Sequence, residues 1–340
     1  MTSLLISNHN AYTNTHEAFK LKNLAKWAEL FGVDFFIRCS DTTPKLDHPR
    51  IYYTDATDND GVIIDLQKVL SKLKPIKVVN LVEGFFPWDM VDTSAIKIYF
   101  VRSCAAKILD IIKGIEENTP GWIDAAHLYT KRAEREKRYI ESSNVVITDS
   151  PNSQHTVCQY YNITPEVCLE YVNPELYRLP APSNETLVYN VGRTDLIKGL
   201  HWVAQSPYHR FISIGNHELG SYSFVANHMQ LYGFMSQEHY VNLISDAVFG
   251  IFPALWESNG YAVQECLAMG KIPVVQDNSG GNLRLLSSDN SVIVDFAQGQ
   301  GRWWEKTTDL DICNMSQNAR DTLTHSMYLK SLEKFGDAIC

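Results

Sequence analysis

The stretch from Phe252 to Leu286 reads FPALWESNGYAVQECLAMGKIPVVQDNSGGNLRLL, and its reading decides the fold. Two carboxylates, Glu257 and Glu265, flank seven residues. Eight positions along an unbroken helix make about two turns and return both side chains to one face. Gly260 lies between them, so Glu257 reads as loop and Glu265 as helix. Ser258 or Asn259 is placed to cap that helix. Ala262, Val263, Leu267, Ala268 and Met269 give it an apolar stripe, and Gly270 closes it. A strand at Ile272 to Val275 follows, its entry marked by Pro273, with the apolar run expected of a strand buried on both faces. Gly280-Gly281 then forms a turn before a short apolar helix start. Strand, loop, helix, strand and glycine loop make a βαβ unit. Its loops leave the carboxyl ends of the strands, where α/β sheets bind ligands.

Outward from this unit, strands alternate with helices over most of the chain, which predicts mainly parallel α/β sheets. In the second half, strands are expected at Leu187 to Val191, Phe211 to Ile214, Met229 to Tyr232 and Val248 to Pro253. In the first half they are expected at Leu4 to Ser7, Val33 to Arg38, Ile51 to Tyr53, Val78 to Val82, Ile96 to Val101 and Val145 to Thr148. Helices are expected at His16 to Phe31, Val62 to Leu73, Ala105 to Lys113, Thr130 to Ser142 and Asn152 to Tyr160. Pro174, Pro180 and Pro182 crowd one short span, which reads as an interdomain linker. The expected division is a domain at 1–173, a linker at 174–186, a second domain at 187–321 and a closing helical segment at 322–340. One large doubly wound domain is the competing organisation.

The 340 residues suit two domains of ordinary size. The net charge of −9 argues against broad nonspecific nucleic-acid binding. Seven cysteines form no CxxC pair, so neither a disulfide framework nor a zinc site is expected. No run of 18 apolar residues and no signal-peptide pattern occurs, and a cytoplasmic protein is the expectation. There is no P-loop, no GxGxxG, no zinc signature and no G-x-S-x-G.

The ordered string in the opening stretch resembles the retaining, nucleotide-sugar-dependent glycosyltransferases of the GT-B fold, of the glycosyltransferase family 4 type. The matching features are Glu257 and Glu265, Ala268-Met269-Gly270, Pro273-Val274-Val275 and Gly280-Gly281. Val191-Gly192-Arg193 with Lys198-Gly199 is similar to that family's G-R…K-G motif. Leu231-Tyr232-Gly233-Phe234 is similar to its base-contacting loop. Residues 145–150 and 171–177 look like the end of its first sheet and the entry to its linker. The match is good over about residues 140–290 and poor before 130. The resemblance implies two Rossmann-like doubly wound domains facing across a cleft, with the nucleotide on the second domain, the acceptor on the first, and the last helix returning to the first.

It also implies roles. Arg193 and Lys198 would stabilise the departing diphosphate, one through a planar fork and the other as a point charge. Glu265 would accept hydrogen bonds from the ribose diol. Glu257 would face the donor sugar or the positive charge developing at its anomeric carbon. Asn259, Gly260, Tyr261, Gly233, Phe234, Gly280 and Gly281 would contribute to donor binding. On the acceptor or donor-sugar side stand Asn14, Thr15, His16, Arg102 and His127. Neither metal nor cofactor is implied beyond the nucleotide sugar itself, with UDP favoured over GDP. A GT-B-type nucleotide-sugar epimerase and a non-catalytic nucleotide-sugar-binding scaffold are the two rival readings. Solvated surface charges and a helix-dipole pair of acids are the plain structural alternatives for these cations and carboxylates.

The sequence departs from the family pattern at Asn259, Cys266 and Asn282, and the loop Asn8 to His16 lacks the glycines that relatives carry there. Asp58-Asn59-Asp60 has a D-x-D form but sits in a polar segment and reads as turn chemistry. The segment Lys131 to Tyr139 is basic and could meet a membrane or another anionic surface. Its Glu134 and Glu136 favour a solvated, ion-paired helix face.

Overall fold

The computed structural model describes residues 3–8, 26, 28–39, 45–81, 86–117, 119, 121–179, 184–192, 196–203, 210–215, 229–233, 235–296, 302–307 and 310–339. The chain splits into two compact units. One comprises the residues up to Ala106, Thr130–Leu169 and the chain from Leu332 onward. The other comprises Lys107–Tyr129 and Glu170–Ser331.

The first unit is built on an all-parallel sheet in the order β3-β2-β1-β4-β5-β6-β7. The strands are β1 (Ser3–Asn8), β2 (Asp34–Arg38), β3 (Ile51–Thr54), β4 (Lys77–Asn80), β5 (Ile96–Val101), β6 (Val145–Thr148) and β7 (Glu166–Val167). Leu5, Phe35, Ile37, Val79, Ile98, Phe100 and Ile147 supply its core, and Phe335 and Ile339 from the end of the chain pack into the same cluster. Parallel strands covered on both faces carry such continuous apolar runs.

Helix α1 (Asn59–Leu73) shows why Asp58-Asn59-Asp60 belongs to local structure. Asp58 is its N-cap, and its Oδ1 accepts from the Gly61 N–H at 2.7 Å. Helices α2 (Ala105–Lys113), α3 (Trp122–Glu141) and α4 (Pro151–Tyr161) follow. Helix α3 starts eight residues before the expected Thr130. Glu136, expected on a solvated face, is 5% exposed. Its Oε1 accepts from the Ala105 N–H at 2.9 Å and from the Tyr161 hydroxyl at 2.6 Å, satisfying an orphan donor at the start of α2.

The second sheet is also all-parallel, in the order β10-β9-β8-β11-β12-β13. Its strands are β8 (Asn184–Val191), β9 (Arg210–Ile214), β10 (Met229–Tyr232), β11 (Ala247–Phe252), β12 (Ile272–Gln276) and β13 (Val292–Val294). Every residue of β11 and β12 is buried. Pro273 has no N–H to give the ladder; it pairs with Gly250 on one side and precedes the first β13 pairing, Val274 with Val292. The helices are α5 (Leu200–Val203), α6 (Gln237–Leu243), α7 (Tyr261–Ala268), α8 (Ile312–Thr322) and α9 (His325–Ile339). Helix α7 buries Val263, Gln264, Cys266, Leu267 and Ala268. It lies so close to β11 that a Cβ on Gly250 would stand 2.8 Å from the Cys266 Sγ.

The cap of α7 corrects the sequence expectation. Gly260, in the left-handed region at φ 66°, holds the N-cap position, and no side chain of Ser258 or Asn259 serves there. The chain turns so tightly onto the next loop that a Cβ at Gly260 would meet the Asn282 Oδ1 at 2.3 Å. Only glycine combines that conformation with that approach.

Candidate functional site

In the second sheet, β8 lies between β9 and β11, and the strand order runs outward in both directions from that pair. The gap between β8 and β11 is therefore the topological switch point, where the flanking loops diverge and open α/β sheets receive ligands. Three segments meet there. The turn Leu196–Lys198 follows β8, the loop 253–260 follows β11, and the loop from Ser279 to Leu285 follows β12.

Backbone hydrogen bonds join the three. The Leu255 N–H donates to the Ile197 carbonyl at 2.8 Å, and the Glu257 N–H donates to the Ser279 carbonyl at 2.9 Å. The Gly281 N–H returns to the Glu257 carbonyl at 2.7 Å, making a small parallel bridge between Glu257 and Gly280. Two glycines permit this. A Cβ at Gly199 would stand 2.1 Å from the Pro253 carbonyl oxygen, and one at Gly281 would stand 1.8 Å from that of Ser258. Gly281 thus serves close packing between loops, whereas Gly280 sits at φ 74° at the turn itself.

The framework brings Lys198 and Glu257 together. The Lys198 Nζ donates to the Glu257 Oε1, and both side chains keep partial exposure, 20% and 26%. This is a cation and a carboxylate, solvent-reachable, on loops joined by backbone hydrogen bonds at the switch point. A multiply charged anion brought here would compete with Glu257 for the ammonium.

Glu265 stands on α7. Its Oε1 accepts from the Tyr177 hydroxyl at 2.9 Å, and Tyr240 of α6 faces the same carboxylate without a hydrogen bond of good geometry. Glu265 keeps some exposed surface as a residue, but protein atoms crowd its carboxylate. Burial raises its pKa to about 7, against the lowering effect of the two tyrosines. Tyr177 was not singled out from sequence. It lies on the 3₁₀ turn Pro174–Tyr177, 88 positions before its partner, and no local pattern joins them.

Asn259 is 1% exposed and is spent on structure. Its amide donates to the Glu170 carbonyl at 2.9 Å, and its Oδ1 accepts from Arg284 at 2.7 Å. Gln264 adds to the same tie, accepting from the Val172 N–H at 3.1 Å. The Arg284 guanidinium lies 4.6 Å from the centre of the Tyr171 ring. Tyr261 begins α7 with its hydroxyl buried, and Gly233 is exposed after β10 with open space on its Cβ side. Arg102 belongs to the first unit, where its guanidinium lies 4.9 Å from the Phe100 ring centre. His127 is exposed on α3. Arg193, Phe234, Asn14, Thr15 and His16 lie outside the described residues. Lys198, Glu257, Gly260, Gly280 and Gly281 are therefore gathered at one place, with Glu265 on the helix that leaves it.

Among the described residues no group of three or more His, Cys, Asp or Glu side chains could hold a metal ion. No helix among them is long and apolar enough to cross a membrane.

The two all-parallel α/β units define the GT-B fold. Solved glycosyltransferases match the chain over nearly its whole length. The sucrose-phosphate synthase of Thermosynechococcus elongatus superposes with a TM-score of 0.74 at 14% identity, covering 99% of this chain and 98% of that one. WaaG, a glycosyltransferase involved in lipopolysaccharide biosynthesis, gives a TM-score of 0.69 at 13% identity over 100% and 99% of the two chains. HepE of Anabaena, solved with UDP and glucose, gives 0.68 at 12% identity over 99% of each chain. No protein-family model matches the sequence, and no curated protein matches it at a significant level.

Proposed function

We propose that the protein is a glycosyltransferase that moves a sugar from a nucleotide diphosphate, UDP in preference to GDP, to an acceptor. The observation that carries this is the Lys198–Glu257 pair, fixed on joined loops at the switch point of the second sheet. In this reading the diphosphate draws Lys198 away from Glu257 as the donor enters. Lys198, with Arg193, then stabilises the negative charge that grows on the leaving group. Glu257, released, turns to the donor sugar, where a carboxylate favours the oxocarbenium-like transition state. Glu265 takes the ribose diol.

Transfer proceeds with retention, because the acceptor hydroxyl attacks the face that the diphosphate leaves and gives its proton to the departing phosphate. It proceeds without a metal, because the cations provide the charge neutralisation that a metal would otherwise supply. Residues 187–321 hold the donor and residues 1–173 the acceptor, whose identity is open. The exposed Lys131 and Lys137 of α3 offer an anionic acceptor or membrane surface a place to dock.

HepE in complex with UDP-glucose, which shares the fold at a TM-score of 0.68, lends support to a UDP-sugar donor. The test is incubation with a panel of UDP- and GDP-sugars in excess EDTA, followed by NMR of the sugar products. Slow release of sugar with the donor's anomeric configuration fits the proposal. An isomerised nucleotide sugar points to an epimerase, and binding without turnover, even with candidate acceptors, to a scaffold.

A further inference from the structure

Glu265 is held from outside its own helix. The chain from Glu170 to Tyr177 crosses the second unit just ahead of β8 and is tied along its length. Its Glu170 carbonyl accepts from Asn259, its Tyr171 ring packs on Arg284, and its Val172 N–H donates to Gln264. Leu176 accepts from Gln237 of α6 at 3.0 Å, and Glu175 lies 3.7 Å from the imidazole of His325 on α9. The last tie is the Tyr177 hydroxyl on the Glu265 Oε1. Tyr177 is 9% exposed, so its ring is clamped by the core and the hydroxyl has little freedom to leave.

We propose that Tyr177 is a positioning residue for donor binding: by occupying Oε1 of Glu265 it fixes the carboxylate and presents the remaining oxygen, Oε2, to the ribose diol. This rests on the donor-site reading above. A carboxylate has lone pairs enough for one buried donor and a diol together. A side chain already ordered loses less entropy when the nucleotide arrives. The same hydrogen bond favours the ionised form, which a buried carboxyl near neutrality needs if it is to accept rather than donate. The groups facing Glu265 are Tyr177, Tyr240 of α6, Tyr189 of β8 and the neighbouring Cys266. Arg320 of α8 is directed to Gly270 and Lys271 instead.

The experiment uses Tyr177→Phe, which keeps the ring and removes the donor. Binding of UDP-glucose is measured by calorimetry from pH 5.5 to 8.5, beside a carbon-13 NMR titration of the Glu265 carboxyl in the free protein. In the wild type, affinity falls as pH drops through the Glu265 midpoint. In the variant, affinity at pH 7 drops about tenfold, the order expected for one hydrogen bond to a charged group. Its midpoint moves up in both measurements. An unmoved midpoint, with only a lower melting temperature, overturns the proposal and leaves Tyr177 a packing residue. A wild type that binds neither UDP- nor GDP-sugars overturns the donor reading and the ribose role with it, while the carboxyl titration still decides whether the tyrosine governs Glu265. Should Tyr177→Phe fail to fold, 3-fluorotyrosine in place of Tyr177 serves as the second variant: it keeps the ring and makes the hydroxyl a stronger donor to the Glu265 Oε1. The Glu265 midpoint must then move down, and an unmoved midpoint overturns the assignment to Tyr177.

Discussion

Lys198 and Glu257 lie 59 positions apart in sequence and form an ion pair at the carboxyl ends of adjacent strands, β8 and β11. The pair is set by backbone, through the Leu255–Ile197 and Glu257–Ser279 hydrogen bonds, rather than by long flexible stems alone. The two side chains are 20% and 26% exposed, and a pair that still meets solvent adds only about 1 kcal/mol to a fold, so the fold itself gives little reason for this cation and carboxylate to be held here.

Removing either partner should therefore cost activity more than stability. Lys198→Ala is expected to lower turnover at least tenfold, about 1.4 kcal/mol in the barrier. Glu257→Gln is expected to lower it comparably, with melting temperatures near that of the wild type. The double variant should fall short of the product of the single effects, because the two groups act as a unit. Steady-state kinetics on the four proteins measures this.

The glycines of the switch point should behave in the opposite way. Gly281→Ala places a Cβ on the Ser258 carbonyl, and Gly260→Ala adds a positive-φ penalty to a clash with Asn282. Each is expected to destabilise the protein by about 1–3 kcal/mol. Thermal unfolding reads this, with Gly233→Ala, which has open space, as the benign comparison.

Glu265 ties stability to pH. Its folded-state pKa of about 7 lies above the ordinary 4.5, so the unfolded chain ionises first as pH rises. The contribution is fully present below about pH 4.5 and is lost as pH climbs through 7. Glu265→Gln is accordingly expected to gain on the wild type between pH 5 and 8 while losing nucleotide-sugar binding. Denaturant titrations at pH 5 and pH 8 check the sign: the difference between the two proteins must grow toward alkaline pH.

Glu136 makes a separate claim on the first unit. Because it accepts from both the Ala105 N–H and the Tyr161 hydroxyl, Glu136→Ala leaves one buried and one half-buried donor unmatched. A loss of about 1–3 kcal/mol in unfolding free energy is expected. Replacing the exposed Lys137 should change little by comparison.

What was legible in the sequence follows from what local patterns encode. Apolar runs marked the long strands, and Gly270 marked the end of α7 through its left-handed φ of 69°. The string from Glu257 to Gly281 marked the loops that meet at the switch point. Strands β7 and β13 escaped because two or three residues carry no period. The early start of α3 was hidden by the Pro120-Gly121 pair, although Trp122, Ala126, Tyr129 and Ala133 repeat at helical spacing. The cap of α7 was misjudged because Ser258 and Asn259 fit a cap by type, whereas the tight approach of Asn282 selects Gly260. Asn259, Glu136 and Tyr177 act through partners 25 to 89 positions away. Such pairings are products of the fold, and no single window of sequence contains them.

The measurement that bears most directly on the account is calorimetric titration of UDP into the wild type and Lys198→Ala, in the presence of EDTA. The prediction is metal-independent binding to the wild type, weakened at least tenfold in the variant. Equal affinity in the two proteins, or no binding of UDP or GDP by the wild type, would contradict it.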